Sequence, residues 1–330
     1  MSAPTADGPG PAPLVPGTQP APGYAILAHL ARTGWLDVYD AWSEERACRC
    51  VIKVVRPDRR REQGLGERLL REGRWLREFS HPHLVRGYET VESPEPLVVL
   101  ETLTGETLSH LVHRLRRRPA AADVALLGVQ LCSAVHYLHG RGLLHLDLKP
   151  SNVVVDRGHA KVLDLSVARP PGPAPAGVGT YGYLAPEQAR GGPLTAAADV
   201  WGIGVTLYEV ASGDTPFGRG ASGDAPVDRR ASGDAPVDRR TSGDAPVDRR
   251  TSGDAPVDRG SREDEPDDGG EGADGRYPQL AGPAPPIASR RRLPPALAAA
   301  VDACLRADPA RRPTIGELAA ALRRTLPRGP

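Results

Sequence analysis

The stretch HLDLKPSN, residues 145–152, decides how this chain is read. Asp147 lies two residues before Lys149 and five before Asn152, and Val153-Val154-Val155 follows as the β-branched run of a short strand. A carboxylate, an ammonium and an amide held in one loop are groups that phosphoryl transfer asks of a protein. It needs an acceptor for a hydroxyl proton, a cation on the moving phosphate and an oxygen ligand for a metal ion. Leu146 intrudes between His145 and Asp147 and raises the question whether such a site is intact.

Outward from this loop, Asp164 ends another short strand, AKVLD. Upstream, CRCVIKVV (48–55) alternates as a strand and carries Lys53, a charge that is costly on an apolar strand unless paired. GERLLREGRWLREF (66–79) has a helical apolar period and presents Glu72 as the counter-charge. Each residue has a plainer reading: Lys53 as a snorkelling edge lysine, Asp147 as a turn former, Asn152 as a cap. Six such residues in order, at compatible spacing, favour the site.

The rest of the chain bounds this reading. Its 330 residues carry 42 basic and 41 acidic side chains, so no bulk field points to nucleic acid or a membrane surface. The one basic run, RPDRRRE (56–62), reads as a solvated loop. No apolar run is expected to span a membrane, and the Pro- and Ala-rich start lacks the basic and apolar parts of a secretion signal. Neither a membrane tether nor a sensor domain is expected. Cys48, Cys50, Cys132 and Cys304 are too scattered for a disulfide framework, and a cytoplasmic location follows. His81 and His83 read as structural, and the four tryptophans as packing residues. Residues 1–22 are expected to be a disordered tail. Residues 218–276 are expected to be a disordered insertion, built on a tandem ten-residue repeat, ASGDAPVDRR or TSGDAPVDRR, with no apolar face to stack. Strands dominate before Gly105 and helices after it, an α+β order that places a site where the two parts meet.

These motifs resemble the eukaryotic-type (Hanks-type) bacterial serine/threonine protein kinases. The resemblance implies a bilobal fold: a β-rich N-lobe with an αC helix over 23–101, then a mainly helical C-lobe over 102–217 and 277–326, with 327–330 as a tail. It implies ATP with Mg²⁺ or Mn²⁺, and a protein Ser/Thr hydroxyl as acceptor. CVIK supplies Lys53 for the phosphates and REGRWLREF supplies its partner Glu72. In the catalytic loop Asp147 is the base, Lys149 meets the transferring phosphate and Asn152 binds metal, as does Asp164 of DLS. Ala31, Thr33, Gly34, Val38, Val51, Glu101 and Leu103 fall on nucleotide-binding positions. GTYGYLAPE (179–187) is the substrate-facing loop; its Thr180, with Lys149, goes with serine/threonine acceptors. Asp199 is expected to brace the catalytic loop, and Arg312 to pair with Glu187.

Four departures stand out. The GxGxxGxV cover loop falls on ARTGWLDV (31–38), so its glycines become Ala31, Thr33 and Leu36, and weaker nucleotide binding is expected. Val51 replaces a smaller alanine beside the adenine. DFG becomes Asp164-Leu165-Ser166. Leu146 takes the place of an arginine that reads an activation-loop phosphate, yet VARPPGPAPAGVG (167–179) has no Ser, Thr or Tyr to carry one. The two absences describe a kinase not switched by loop phosphorylation. A scaffold-type pseudokinase is the alternative, and an interaction protein working through its repeats is a third reading. The αG helix that follows Pro216-Phe217 in the family is expected to be lost to the insertion, whose Ser222, Ser232 and Thr241 are candidate autophosphorylation sites.

Overall fold

The computed structural model describes residues 11–115, 117–218 and 277–327. The repeats, and the expected loss of αG within them, lie outside the described residues.

Five antiparallel strands form the first layer: β1 (Tyr24–Arg32), β2 (Leu36–Ser43), β3 (Cys48–Val55), β4 (Gly87–Val91) and β5 (Leu97–Glu101), in the order β1-β2-β3-β5-β4. Alternation along β3 builds both faces of this sheet. Cys50, Ile52 and Val54 join Ile26, Tyr39 and Val99 in an outer cluster. Val51 and Val55 face the main core on the other side, and Lys53 shares their parity. Helix α1 (Leu65–Glu78) packs beneath β4 and β5 with Leu69, Glu72, Gly73 and Leu76 buried. The approach is close at Gly73, where a Cβ would come within 2.5 Å of Thr90 Cγ2 and Val98 Cγ2.

The second layer is helical. β6 (Glu106–Thr107) leads into α2 (Leu108–Arg114) and α3 (Ala121–His139). Then β7 (Val153–Asp156) and β8 (His159–Val162) form a three-stranded sheet with β6. Helix α4 (Pro186–Arg190) precedes α5 (Ala196–Ser212), which is buried from Ala198 to Ala211 as its all-round apolar sequence requires. Short α6 (Pro278–Ala281) follows the repeats, and α7 (Pro295–Cys304) and α8 (Ile315–Arg323) close the domain against α5 and α3. Asp123, inside the first turn of α3, accepts from the Ala120 N–H and closes the helix start.

One expectation needs correction. Residues 11–22 are not a loose tail. Leu14 and Ala21 pack on the outer cluster, Leu14 N–H donates to Tyr39 Oη at 3.0 Å, and Gly17 and Thr18 exchange backbone hydrogen bonds with Ile26. The outer face of the sheet is apolar and needs a cover, and a Pro-rich segment can supply one without any periodicity. Helix α3 is long and apolar enough by length and composition to cross a membrane, and 56% of that stretch is buried within the fold against α5 and α8. Part of the Pro-rich activation segment is strand. β9 (Gly172–Ala174) pairs with β10 (Gly192–Leu194), and Pro173 sits opposite Pro193 in a two-strand ribbon whose edges tolerate the missing N–H groups.

Candidate active site

The sheet and α1 bring the first charges together. A row of residues crosses four strands, Ala31–Val38–Lys53–Val98, so Lys53 leaves the inner face between apolar neighbours. Its Nζ meets Glu72 Oε1 at 2.7 Å and Asp164 Oδ1 at 3.7 Å. Burial works against the charge on Lys53, but Asp164 and Glu72 outweigh it and push its pKa up. The Glu72 carboxyl is driven up by burial, with Asp164 adding to the effect against the pull of Lys53. For Asp164 burial alone would raise the pKa; the Lys53 charge and hydrogen bonds from Ser166 hold it down at about 2. Leu165, at 1% exposure, anchors this turn in the core, and its N–H points at Glu72 Oε1.

The loop 145–152 brings the second group. Asn152 Nδ2 donates to both the carbonyl and Oδ2 of Asp147, at 2.9 and 3.0 Å, which fixes the carboxylate. Lys149 Nζ lies 3.4 Å from Asp147 Oδ2 and donates to Thr180 Oγ1 at 2.5 Å. Asp147 Oδ1 is buried without a hydrogen-bond partner among the described residues, so a proton acceptor is left over in the site. The loop itself is strained: Leu146 has φ +66°, a left-handed conformation that costs a non-glycine residue about 1 kcal/mol or more. Asp199 from α5 holds it there, accepting from the N–H groups of His145 (2.9 Å) and Leu146 (2.7 Å) and bonding His139 Nε2 at 2.8 Å.

Other expected residues fall into two sets. Arg312 and Glu187 pair as a bidentate clamp at 2.6 and 2.8 Å, remote from the reacting groups. Among nucleotide positions, Val38 pairs with Lys53 across the sheet, and Val51 and Leu103 pack on the main core. Glu101 behaves differently: its carboxylate is taken by Lys161 and the Arg86 N–H, and its own N–H by the Arg86 carbonyl. Both contacts of its carboxylate fall on Oε1, and its N–H is also taken.

The cover turn is tight. Thr33 N–H donates to the Leu36 carbonyl at 2.8 Å, and Leu36, standing in for a glycine, is buried in the core at 3% exposure. Arg56 donates to the carbonyls of Thr33, Gly34 and Trp35, pinning the turn from behind.

Two supports escaped the sequence reading. Gln188 Nε2 donates to the carbonyls of Leu146 and Val178, both at 2.8 Å, and so couples the catalytic loop to the activation segment. Arg68 reaches from α1 to the turn after Asp164. Its spacing one helical turn before Glu72 is a signal that could have been used.

The donors here suit a small hard cation. Asp164 and Asn152 offer oxygen ligands, and Mg²⁺ sites commonly combine one or two protein oxygens with substrate phosphates. The site's polar atoms, with Asp147 Oδ1 unpartnered, are compatible with such a group.

Comparison with known proteins agrees with this geometry. The protein kinase domain family matches residues 33–322. The serine/threonine-protein kinase PknB of Mycobacterium leprae is 34% identical over 179 residues, 51% of this chain and 29% of that protein. PknB of Mycobacterium tuberculosis H37Rv is 34% identical over 180 residues, with the same shares. A probable serine/threonine-protein kinase of Streptomyces coelicolor, SCO3848, is 32% identical over 207 residues, 59% of this chain and 31% of that protein. The chain thus spans less than a third of the length of these curated relatives. It belongs to the protein kinase domain family, whose members use ATP and a divalent cation.

Proposed function

We propose that this protein kinase domain transfers the γ-phosphoryl group of ATP to a serine or threonine hydroxyl of a protein. The observation that carries the reading is the juxtaposition of Lys53–Glu72–Asp164 with the Asp147–Asn152–Lys149–Thr180 loop. Lys53, oriented by Glu72, places a fixed cation for the nucleotide phosphates. Asp147, held by Asn152, accepts the proton of the attacking hydroxyl on its unpartnered oxygen. Lys149 balances charge on the phosphoryl group, and Thr180 sets its direction. Mg²⁺ held by Asp164 and Asn152 would neutralise charge on the β- and γ-phosphates. The complete set of charged groups supports turnover over a scaffold-only role.

The N-lobe on this reading begins by Pro11 and ends at Glu101, and the C-lobe comprises 102–217 and 277–326. ATP supply and the four free thiols support a cytoplasmic site of action. Transfer from radiolabelled Mg-ATP to a generic protein acceptor tests the function. The expected outcome is transfer by the native protein and none by Asp147→Asn; folded native protein that transfers nothing would overturn it.

A further inference from the structure

Arg68 and Glu72 stand one turn apart on α1, so both side chains leave the same face of the helix. Glu72 goes to Lys53. Arg68 instead gathers two other elements of the site. Its Nε donates to the Ser166 carbonyl at 2.8 Å, and its Nη2 lies 3.4 Å from Ser166 Oγ. Its guanidinium lies over the indole of Trp35 at the tip of the cover turn, 4.6 Å from the ring centroid. A partly desolvated guanidinium over an indole face is a favourable cation–π pair.

The consequence for the reacting groups is direct. Ser166 N–H donates to Asp164 Oδ1 at 2.8 Å, so whatever fixes Ser166 also fixes the Asp164 carboxylate. Three parts that must close around a nucleotide therefore meet on one cation: the cover turn, α1 and the Asp164 turn. Two departures from the family pattern also converge here. Ser166 replaces a glycine and brings a hydroxyl within reach of Arg68. The cover turn has lost its glycines, and its tip is instead held by a side-chain stack. Residues 167–179 carry no hydroxyl that a phosphate could occupy, and Leu146 has no guanidinium to read one. The assembled arrangement must then be held by contacts already present in the unmodified chain.

We propose that Arg68 is a positioning residue that keeps the site assembled without phosphorylation, tying the Asp164 turn to α1 and holding the cover turn through Trp35. The proposal rests on the kinase reading for its kinetic consequence but not for its structural one. A charge-assisted hydrogen bond of this kind is worth about tenfold or more in the population of the assembled state.

The test compares native protein with Arg68→Met, which keeps the aliphatic stem, and with Arg68→Lys, which keeps the charge. Two readouts are taken: phosphate transfer against ATP concentration, and hydrogen exchange of the amides at 33–36 and 165–168. Arg68→Met is expected to lower kcat about tenfold and raise KM for ATP, with faster exchange confined to those two segments. Arg68→Lys is expected to recover part of both. Exchange at 165–168 that is unchanged in Arg68→Met overturns the proposal, as does an unchanged kcat. If native protein transfers no phosphate, the kinase reading fails while exchange still decides the role of Arg68. Arg68→Gln, which removes the charge and keeps a polar side chain of similar length, carries the comparison should Arg68→Met not fold; unchanged exchange at 165–168 in it would then overturn the proposal.

Discussion

Lys53 and Glu72 meet at 2.7 Å in a place where the lysine is 7% exposed and the glutamate not at all. Each charge is tolerable only because of the other, and Asp164 at 3.7 Å makes the lysine the hub of two carboxylates. Removing the lysine leaves the buried Glu72 without its counter-charge, with Asp164 acting against its ionisation. Removing the glutamate leaves Lys53 with Asp164 alone.

Lys53→Met is therefore expected to cost about 3–5 kcal/mol in stability, as loss of one partner of a buried pair does. The double variant Lys53→Met/Glu72→Leu is expected to recover most of that loss while remaining inactive, because the uncompensated charge goes and the phosphate contact does not return. Urea denaturation of both, beside the transfer assay, decides it. A double variant less stable than Lys53→Met would show that the pair itself, and not the orphaned charge, sets the cost.

Asp199 governs a different quantity, the backbone of the catalytic loop. Its carboxylate takes two N–H groups and His139, and this holds Leu146 at φ +66°. Asn at this position keeps one acceptor oxygen and turns the other into a donor that faces N–H groups. Asp199→Asn is expected to lower kcat at least tenfold, with KM for ATP changed less, since Lys53 and its partners sit on other elements. Steady-state kinetics with varied ATP measures the split; an effect on KM alone would refute it.

Much of the site could be read from the sequence because its chemistry demands particular groups at particular spacing. Lys53, Glu72 and Asp164 meet as one group and Asp147, Lys149 and Asn152 as another, and the Leu163 N–H, donating to the Asn152 carbonyl, ties the two segments together. What could not be read is of another kind. Arg68 and Ser166 are 98 residues apart, and neither belongs to a pattern that announces the contact. Gln188 acts through backbone carbonyls, which any sequence supplies. The segment 11–22 has no periodicity because it is a cover and not a regular element; its place is set by the apolar outer face of the sheet. Leu36 shows the same limit: a lost glycine in the pattern, it is a buried core residue in the fold.

Asp164 contributes to the acid stability of the site with a definite sign. Its folded-state pKa of about 2 lies below the ordinary 3.8, so it contributes stability that is present above pH 3.8 and lost as pH falls toward 2. The amount is roughly 2 kcal/mol at 1.36 kcal/mol per unit. The stability gap between native protein and Asp164→Asn is expected to narrow by about that much from pH 5 to pH 2.5. Denaturant midpoints across this range test it, and a gap that stays constant or widens on acidification would contradict the assignment.

Arg312 and Glu187 make a bidentate pair, yet the two residues are not equivalent. Arg312 is buried, lies over the Trp201 ring, and donates to the carbonyls of Ala197, Arg306 and Ala307 as well as to Glu187. Glu187 has the salt bridge as its main tie. Arg312→Ala strands a carboxylate and three carbonyls and is expected to cost about 3–5 kcal/mol. Glu187→Gln leaves the carbonyl contacts in place and keeps one acceptor oxygen for the guanidinium, so about 1–2 kcal/mol is expected. Thermal or urea unfolding of the two variants gives the order. Equal losses would mean that the ion pair alone carries the energy of this junction and that the carbonyl contacts of Arg312 contribute nothing measurable.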